Sequence, residues 1–406
     1  MTVEAEVSEL FRAERGRIVA TLIRLTGDWE LAEECVQDAF ARALECWPRE
    51  GVPRRPGAWL TTTARNRALD RLRRSSVEAA KLREVVAVLD APPDEVDDDE
   101  LGDDLLRLIF TCCHPALTLE ARVALTLRTV AGLTTAEIAR AFLVPEATMA
   151  KRLVRARQKI RNARIPYRVP PAHLLPERTG GVLGVLYLLF NEGYAASGGA
   201  DLLRRNLCAE AIRLARTLVA AMPDEPEAVG LLALMLLQDS RRDARFDHAG
   251  DLVPLDEQDR SRWDGGQVEE GVALLDSALR RGRPGPYQVQ AAIAACHATA
   301  ARAEDTDWPQ IALLYGELAM LVPSPVVRLN RAVAVAMADG PAAGLALVDD
   351  LADEVTGHLL PATRADLLRR LGRTTEALAA YERALALAPT DAERRHLTRL
   401  ISALRG

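Results

Sequence analysis

Alanine fills 68 of the 406 positions and is spread along the whole chain, while aromatic residues make up only 4%. That pairing narrows the fold more than any other feature. Alanine loses no side-chain entropy in a helix, and strands draw on aromatic and β-branched side chains, so the chain reads as all-α. At about 150 residues per domain, the length allows two or three domains, each large enough for a core. The longest apolar run, residues 228–237, reads AVGLLALMLL and has ten residues. A bilayer span needs roughly 18 to 20. The opening MTVEAEVSELFRAER lacks the basic and apolar parts of a secretory signal. A cytoplasmic protein with no membrane partner is expected.

Six cysteines stand at 35, 46, 112, 113, 208 and 296, with no CxxC pair. They read as reduced thiols rather than disulfides. Cys112, Cys113 and His114 are adjacent, but neighbours on a helix point about 100° apart and no second ligand pair stands nearby, so no metal is expected. The sequence has no P-loop, no HExxH and no GxSxG, which argues against an enzyme and against a cofactor.

The net charge of −6 hides a strong division. Residues 51–85 carry nine bases and three acids, residues 90–104 nine acids and no base, and residues 118–168 eleven bases and three acids. From 169 onward 25 bases face 32 acids. Two basic blocks separated by an acidic, Pro-containing stretch suggest two small domains joined by a mobile linker, followed by a larger acidic domain. The stretch is either a solvated tether or a negative strand for a partner's basic channel.

The second basic block contains a helix-turn-helix. Val123, Leu125, Leu127 and Val130 mark a helix that ends at Gly132, and Thr134 or Thr135 caps the short helix TAEIARAF. After Pro145 a third helix runs from Glu146 to about Ala163, with Met149, Leu153, Ala156 and Ile160 as its buried stripe. Its other face shows Thr148, Lys151, Arg152, Arg155 and Lys159, the layout of a recognition helix for the major groove. Leu143 occupies the turn position where Gly is usual, which implies altered turn geometry or compensating packing.

In the first block, DWELAEECVQDAFARALECW places Val36, Phe40, Ala43 and Trp47 inward and Glu33, Glu34, Asp38 and Glu45 on an exposed acidic face. A loop from Trp47 to Pro56 leads to AWLTTTARNRALDRLRRSS, from which Arg65, Arg67, Arg71 and Arg74 project.

AEECVQDAFARAL, PGAWLTTTARNRALDRLRR and TMAKRLVRARQKIR, in this order and separation, resemble regions two and four of the extracytoplasmic-function sigma factors of bacterial RNA polymerase. The resemblance spans about residues 5–165. It implies that Glu34, Gln37 and Asp38 grip core RNA polymerase, and that Trp59, Arg65, Asn66, Asp70, Arg71 and Arg74 melt and read the minus-ten element of promoter DNA. The loop from Trp47 to Pro56 would border the pocket for a flipped base. Thr148, Lys151, Arg152, Arg155 and Lys159 fall where the minus-thirty-five element is read. The acidic linker would thread the RNA exit path. The implied domains are region 2 at 1–80, linker at 81–104, region 4 at 105–168 and a helical extension at 169–406.

The extension shows repeats. Ala377, Tyr381, Ala384 and Pro389 lie at offsets 0, 4, 7 and 12, and Ile311, Tyr315, Leu318 and Pro323 repeat them 66 residues earlier. Ala211, Ala215, Leu218 and Pro223 give another copy, Gly271, Leu275 and Ala278 a weaker one, and Gly344 falls midway between two. This is similar to the tetratricopeptide pattern, an α-solenoid of helix pairs crossing at small residues. An irregular insertion, ARFDHAGDLVPLDEQDRSRWDGG, interrupts the copies. Its Asp256, Glu257, Asp259, Arg260, Arg262 and Trp263 suit a plain loop, an ion-pair network or a docking surface, and the same holds for Asn191, Glu192 and Tyr194.

TCCHPAL, LLFNEGYAAS and LNRAVAVA resemble the subgroup of these sigma factors with a fused tetratricopeptide-like extension, whose members accompany small DGPF-type proteins. A regulatory or supporting role for the extension is what that resemblance implies. A stand-alone helix-turn-helix regulator with a sensing solenoid remains the alternative.

Overall fold

Helix starts and stops follow local chemistry. The first helix, α1 (Val3–Thr26), ends at Gly27, whose φ of +69° suits glycine. The Asp28 carboxylate then accepts from the amides of Glu30 at 2.9 Å and Leu31 at 3.1 Å, which opens α2 (Trp29–Glu50). Val36, Phe40, Ala43 and Trp47 are all buried, as their spacing predicts. With α3 (Pro56–Arg74), whose Leu60, Ala64 and Ala68 are fully buried, these helices pack pairwise into a bundle. A further helix, α4 (Asp98–Cys112), lies against α1, so the last part of the acidic stretch is helical.

The computed structural model describes residues 3–74, 98–142, 144–195, 202–247, 253–351, 357–388 and 391–405. Residues 75–97, Leu143 and Pro389, and with them the linker, turn and repeat expectations that rest there, lie outside the described residues. So does the side chain of Arg74.

Next come α5 (Leu119–Thr129), α6 (Thr135–Ala141) and α7 (Glu146–Asn162), followed by α8 (Leu175–Ala195). The chain divides into two units, Met1–Leu189 and Phe190–Gly406, the boundary falling inside α8. In the first unit α8 contributes Val182, Leu183, Val185 and Leu186 to the core, and Arg178 Nη2 donates to the Phe110 carbonyl at 2.7 Å. The described residues of both basic blocks fall within the first unit. Tyr167, at the end of the second block, ties it to α1 and α4 by sharing its hydroxyl between the carbonyls of Ala20 at 2.9 Å and Asp104 at 3.2 Å. Cys112 and Cys113 are buried, and burial pushes the Cys113 thiol up to about 11. Among the described residues no group of His, Cys, Asp or Glu is arranged to hold a metal ion.

The second unit stacks helix pairs. After α9 (Leu202–Ala221) these are α10 (Pro226–Asp239) with α11 (Gly265–Leu279), α12 (Pro286–Thr299) with α13 (Trp308–Leu321), α14 (Pro325–Ala338) with α15 (Pro341–Asp349), and α16 (Leu359–Arg370) with α17 (Thr374–Leu387). A last amphipathic helix, α18 (Asp391–Arg405), packs on α17 through Leu397 and Ile401. Ala377, Tyr381, Ala384, Ile311, Leu318, Ala211, Ala215, Leu218, Leu275 and Ala278 are buried and Tyr315 is half-buried, so most of the repeat offsets mark inward-facing positions. The irregular insertion, between the copies at Ala211 and Gly271, connects α10 to α11. Arg260 fastens it by donating to the carbonyls of His297 and Ala300, and its guanidinium lies 4.6 Å from the Trp263 ring. Tyr194 donates to Gln238 at 3.1 Å and is covered by Arg245, so it serves the core of this unit. Among the described residues, no helix is long and apolar enough to cross a membrane.

Small residues set the helix spacing. A Cβ on Gly344 would lie 2.3 Å from the Ala336 Cβ and 2.7 Å from the Ala332 carbonyl oxygen. Gly344→Ala is expected to lower stability by about 1 to 3 kcal/mol through overpacking. Gly180→Ala, on α8 with nothing within 4 Å of the added atom, is expected to be neutral or stabilising. Chemical denaturation of the two full-length variants checks the contrast.

Candidate nucleic-acid interface

The helix-turn-helix is built on a capping box. Thr134 Oγ1 accepts from the Glu137 amide at 3.2 Å, and the Glu137 carboxylate accepts from the Thr134 amide at 2.7 Å. Gly132, at φ +81°, turns the chain from α5 into this short helix. In α7 the stripe Met149, Leu153, Ala156 and Ile160 is buried. Lys151, Arg155 and Lys159 are exposed, while Thr148 and Arg152 are half-buried. At 3.6 residues per turn these five residues share an arc about 100° wide, facing away from the stripe. The arc carries four cations and no anion, which suits phosphate contacts and base edges in a groove.

The first block divides differently from its sequence. Trp59 is half-buried and meets Trp47 edge-to-face with ring centroids 5.4 Å apart. Trp47 itself is 2% exposed and lies within α2, which runs on to Glu50. It is a core residue, and the loop expected from Trp47 shrinks to residues 51–55. Asn66 and Asp70 are exposed and Arg65 is half-buried.

Arg71 does not project freely. Its guanidinium pairs with Glu34 and lies 3.1 Å from Asp38, and Arg67 stands 3.9 Å from the same carboxylate. The acidic face of α2 and the basic face of α3 are therefore matched side by side, with Gln37 exposed beside them. Such half-exposed pairs contribute about 0 to 1 kcal/mol, so the guanidinium can leave a carboxylate for a phosphate with little penalty.

Glu33 departs most from the sequence reading. Expected on the exposed acidic face, it is 6% exposed and lies where α2 meets α5 and α7. Its carboxylate pairs with Arg157 Nη2 of α7 at 2.5 Å and with Arg128 Nη2 of α5 at 3.3 Å. Beside it Arg15 of α1, 2% exposed, donates to the carbonyls of Arg128 at 3.2 Å and Thr129 at 2.9 Å. Burial pulls the Arg15 guanidinium down to about 10, the Glu33 charge resisting and the Arg128 and Arg157 charges adding to the shift. The helices meet closely here, since a Cβ on Gly16 would lie 2.8 Å from the Val130 carbonyl oxygen.

This cluster had a signal in the sequence. Glu33 extends the stripe of Val36, Phe40, Ala43 and Trp47 back by one step, and Arg15 interrupts a stripe of Phe11, Ile18 and Leu22. A charge in a buried register implies a partner of opposite charge on another element.

Comparison with known families agrees with this architecture. Residues 10–77 match sigma-70 region 2, 107–160 match sigma-70 region 4, and 362–391 match a tetratricopeptide repeat. Residues 178–279 match a family of unknown function, DUF6596. An uncharacterized protein of Rhizobium meliloti is 47% identical over 93% of this chain and 91% of its own length. The ECF RNA polymerase sigma factor SigL of Mycobacterium tuberculosis is 34% identical over 32% of this chain and 73% of its own. The probable ECF RNA polymerase sigma factor SigI of the same species is 31% identical over 42% of this chain and 60% of its own. No solved structure matches. Sigma domains imply core RNA polymerase and promoter DNA as partners. With regions 2 and 4 in order and a tetratricopeptide repeat beyond them, the chain belongs to the extracytoplasmic-function family of RNA polymerase sigma factors and carries a fused C-terminal extension.

Proposed function

We propose that the chain selects promoters for core RNA polymerase by reading a minus-thirty-five element with α7 and a minus-ten element with α3, while α2 docks on the polymerase. The cationic arc of Lys151, Arg152, Arg155 and Lys159 opposite a buried stripe is the observation that carries this reading. Thr148 stands at the start of that arc, where a short polar side chain reaches a phosphate or a base edge. On α3, Trp59, Arg65, Asn66, Asp70, Arg71 and Arg74 form the segment assigned to the minus-ten element. An aromatic platform beside cations suits an unstacked single strand. On α2, Glu34, Gln37 and Asp38 offer an acidic, accessible patch to a basic polymerase surface.

The extension regulates or supports this activity, and a small DGPF-type protein is a candidate partner for it. The support is indirect: a tetratricopeptide repeat presents a surface for protein contacts, and the extension is long enough to stack several helix pairs.

Three outcomes test the proposal in transcription assays with purified core polymerase. Arg155→Ala is expected to reduce promoter affinity by about 5- to 100-fold, as loss of a base or phosphate contact does, with core binding retained. Unchanged transcription from a responsive promoter would remove Arg155 from the reading face. Asp38→Arg is expected to weaken core association by about tenfold or more, because it sets a cation against a basic surface; a pull-down with undiminished core binding would contradict the docking role. Removing residues 196–406, which leaves α8 whole, is expected to change the yield of promoter-directed transcript, its sign telling whether the extension restrains or assists. Equal yields would argue against either role.

A further inference from the structure

In the second unit, helix α13 buries one face and leaves the other uncovered. Ile311, Leu314, Tyr315 and Leu318 pack with α12 and α14. At about 100° per residue, Leu313, Gly316 and Met320 fall within an arc roughly 60° wide on the far side. Leu313 is 74% exposed and Met320 71%, the two highest values among the described large apolar side chains. Leu321, Val322 and Val326, next along the chain, are exposed as well. The five offer on the order of 400 Å² of apolar surface, the scale at which a patch on a single chain has a function.

The other repeats do not carry this face. In the copies that begin at Ala211, Gly271 and Ala377, the position of Leu313 is Arg213, Ala273 or Ala379, and that of Met320 is Ala220, Arg280 or Ala386. Gly316 corresponds to Arg216, Asp276 or Glu382. Small and charged side chains suit an outer surface in water, so α13 departs from its own repeat where it faces outward. Gly316 has no reason within the chain, since an added Cβ would come no closer than 3.9 Å to another described side chain, at the Arg331 Nε. Glycine weakens a helix interior, and what it offers here is a gap between two large side chains through which a second backbone can approach.

Charges beside the arc select the occupant. Glu317 stands on one flank, and Arg331 of α14 reaches the other, beside Gly316. Both are exposed, and neither has an ion-pair partner among the described residues. We infer that the α13 face joins two copies of this chain about a two-fold axis that runs along α13. That axis sets Gly316 against Gly316 and Glu317 of one copy against Arg331 of the other, twice, as an isologous contact requires. An axis across the helix would oppose like charges instead. With this charged rim the surface reaches the roughly 500 Å² per copy that a specific interface needs. The pairing belongs to the extension and does not depend on promoter reading.

Sedimentation equilibrium of the full-length chain at about 1 to 100 μM is expected to give the mass of two chains. Leu313→Glu is expected to raise the dissociation constant at least about tenfold, with helix content by circular dichroism unchanged, because it places a charge in the centre of the contact. Met320→Glu gives the same reading should Leu313→Glu fail to fold. Glu317→Arg alone is expected to weaken association by about tenfold, and Glu317→Arg combined with Arg331→Glu to restore it. A single-chain mass for wild type throughout that range would overturn the proposal, as would a dimer that survives both Leu313→Glu and Met320→Glu. Failure of the exchanged charges to restore association would overturn the axis along α13. A single-chain wild type whose retention by core polymerase is lost in Leu313→Glu would assign the face to that partner in place of a second copy.

Discussion

Close approach of helices, permitted by missing or minimal side chains at the crossing points, is the constraint on which both units depend. Gly16 brings α1 to the C-terminal carbonyls of α5, Gly230 accommodates Gln288, and Gly344 lies against Ala336. An alanine-rich chain buries little apolar area per residue, so its helices must pack at short axial distance to gain enough dispersion and burial. In the second unit that rule operates almost alone. Ala332, Ala365, Ala377, Ala380 and Ala384 are fully buried in one cluster, with Tyr381 and several leucines filling the wider gaps.

In the first unit close approach brings backbone carbonyls and charges together, and polar chemistry then determines how the two sigma regions meet. Arg15 supplies donors to carbonyls at the end of α5, and Glu33 pairs with Arg128 and Arg157 and attracts Arg15. A buried ionic cluster contributes less net stability than a well-packed apolar one, yet it disfavours alternatives strongly once a partner is lost. The surface pairs of Arg71 with Glu34 and Asp38 belong to another class, weak and exchangeable, on a face that must give way to partners.

Much of this was legible in the sequence because it was periodic. The α2 stripe, the α7 stripe, the Thr134 cap, the turn at Gly132 and the repeat offsets from Ala211 to Ala384 each follow from spacing and local chemistry, and the structure has them in place. What escaped depends on tertiary neighbours. Glu33 reads as one more exposed acid until α5 and α7 are brought against α2, although its position in the buried register was a warning. The burial of Trp47 was legible in its spacing, but the extent of the helix was not: the loop was expected from Trp47 onward, yet α2 continues through Pro48 to Glu50. The same limit applied to charge: segment counts located the basic blocks, but not that they share one unit in which some of those cations face inward.

The most direct test of this account is a footprint of a responsive promoter by purified core polymerase with and without the full-length chain. The account predicts that protection at minus thirty-five and strand opening at minus ten appear only when the chain is present. Protection of neither element with polymerase and chain both present would contradict it.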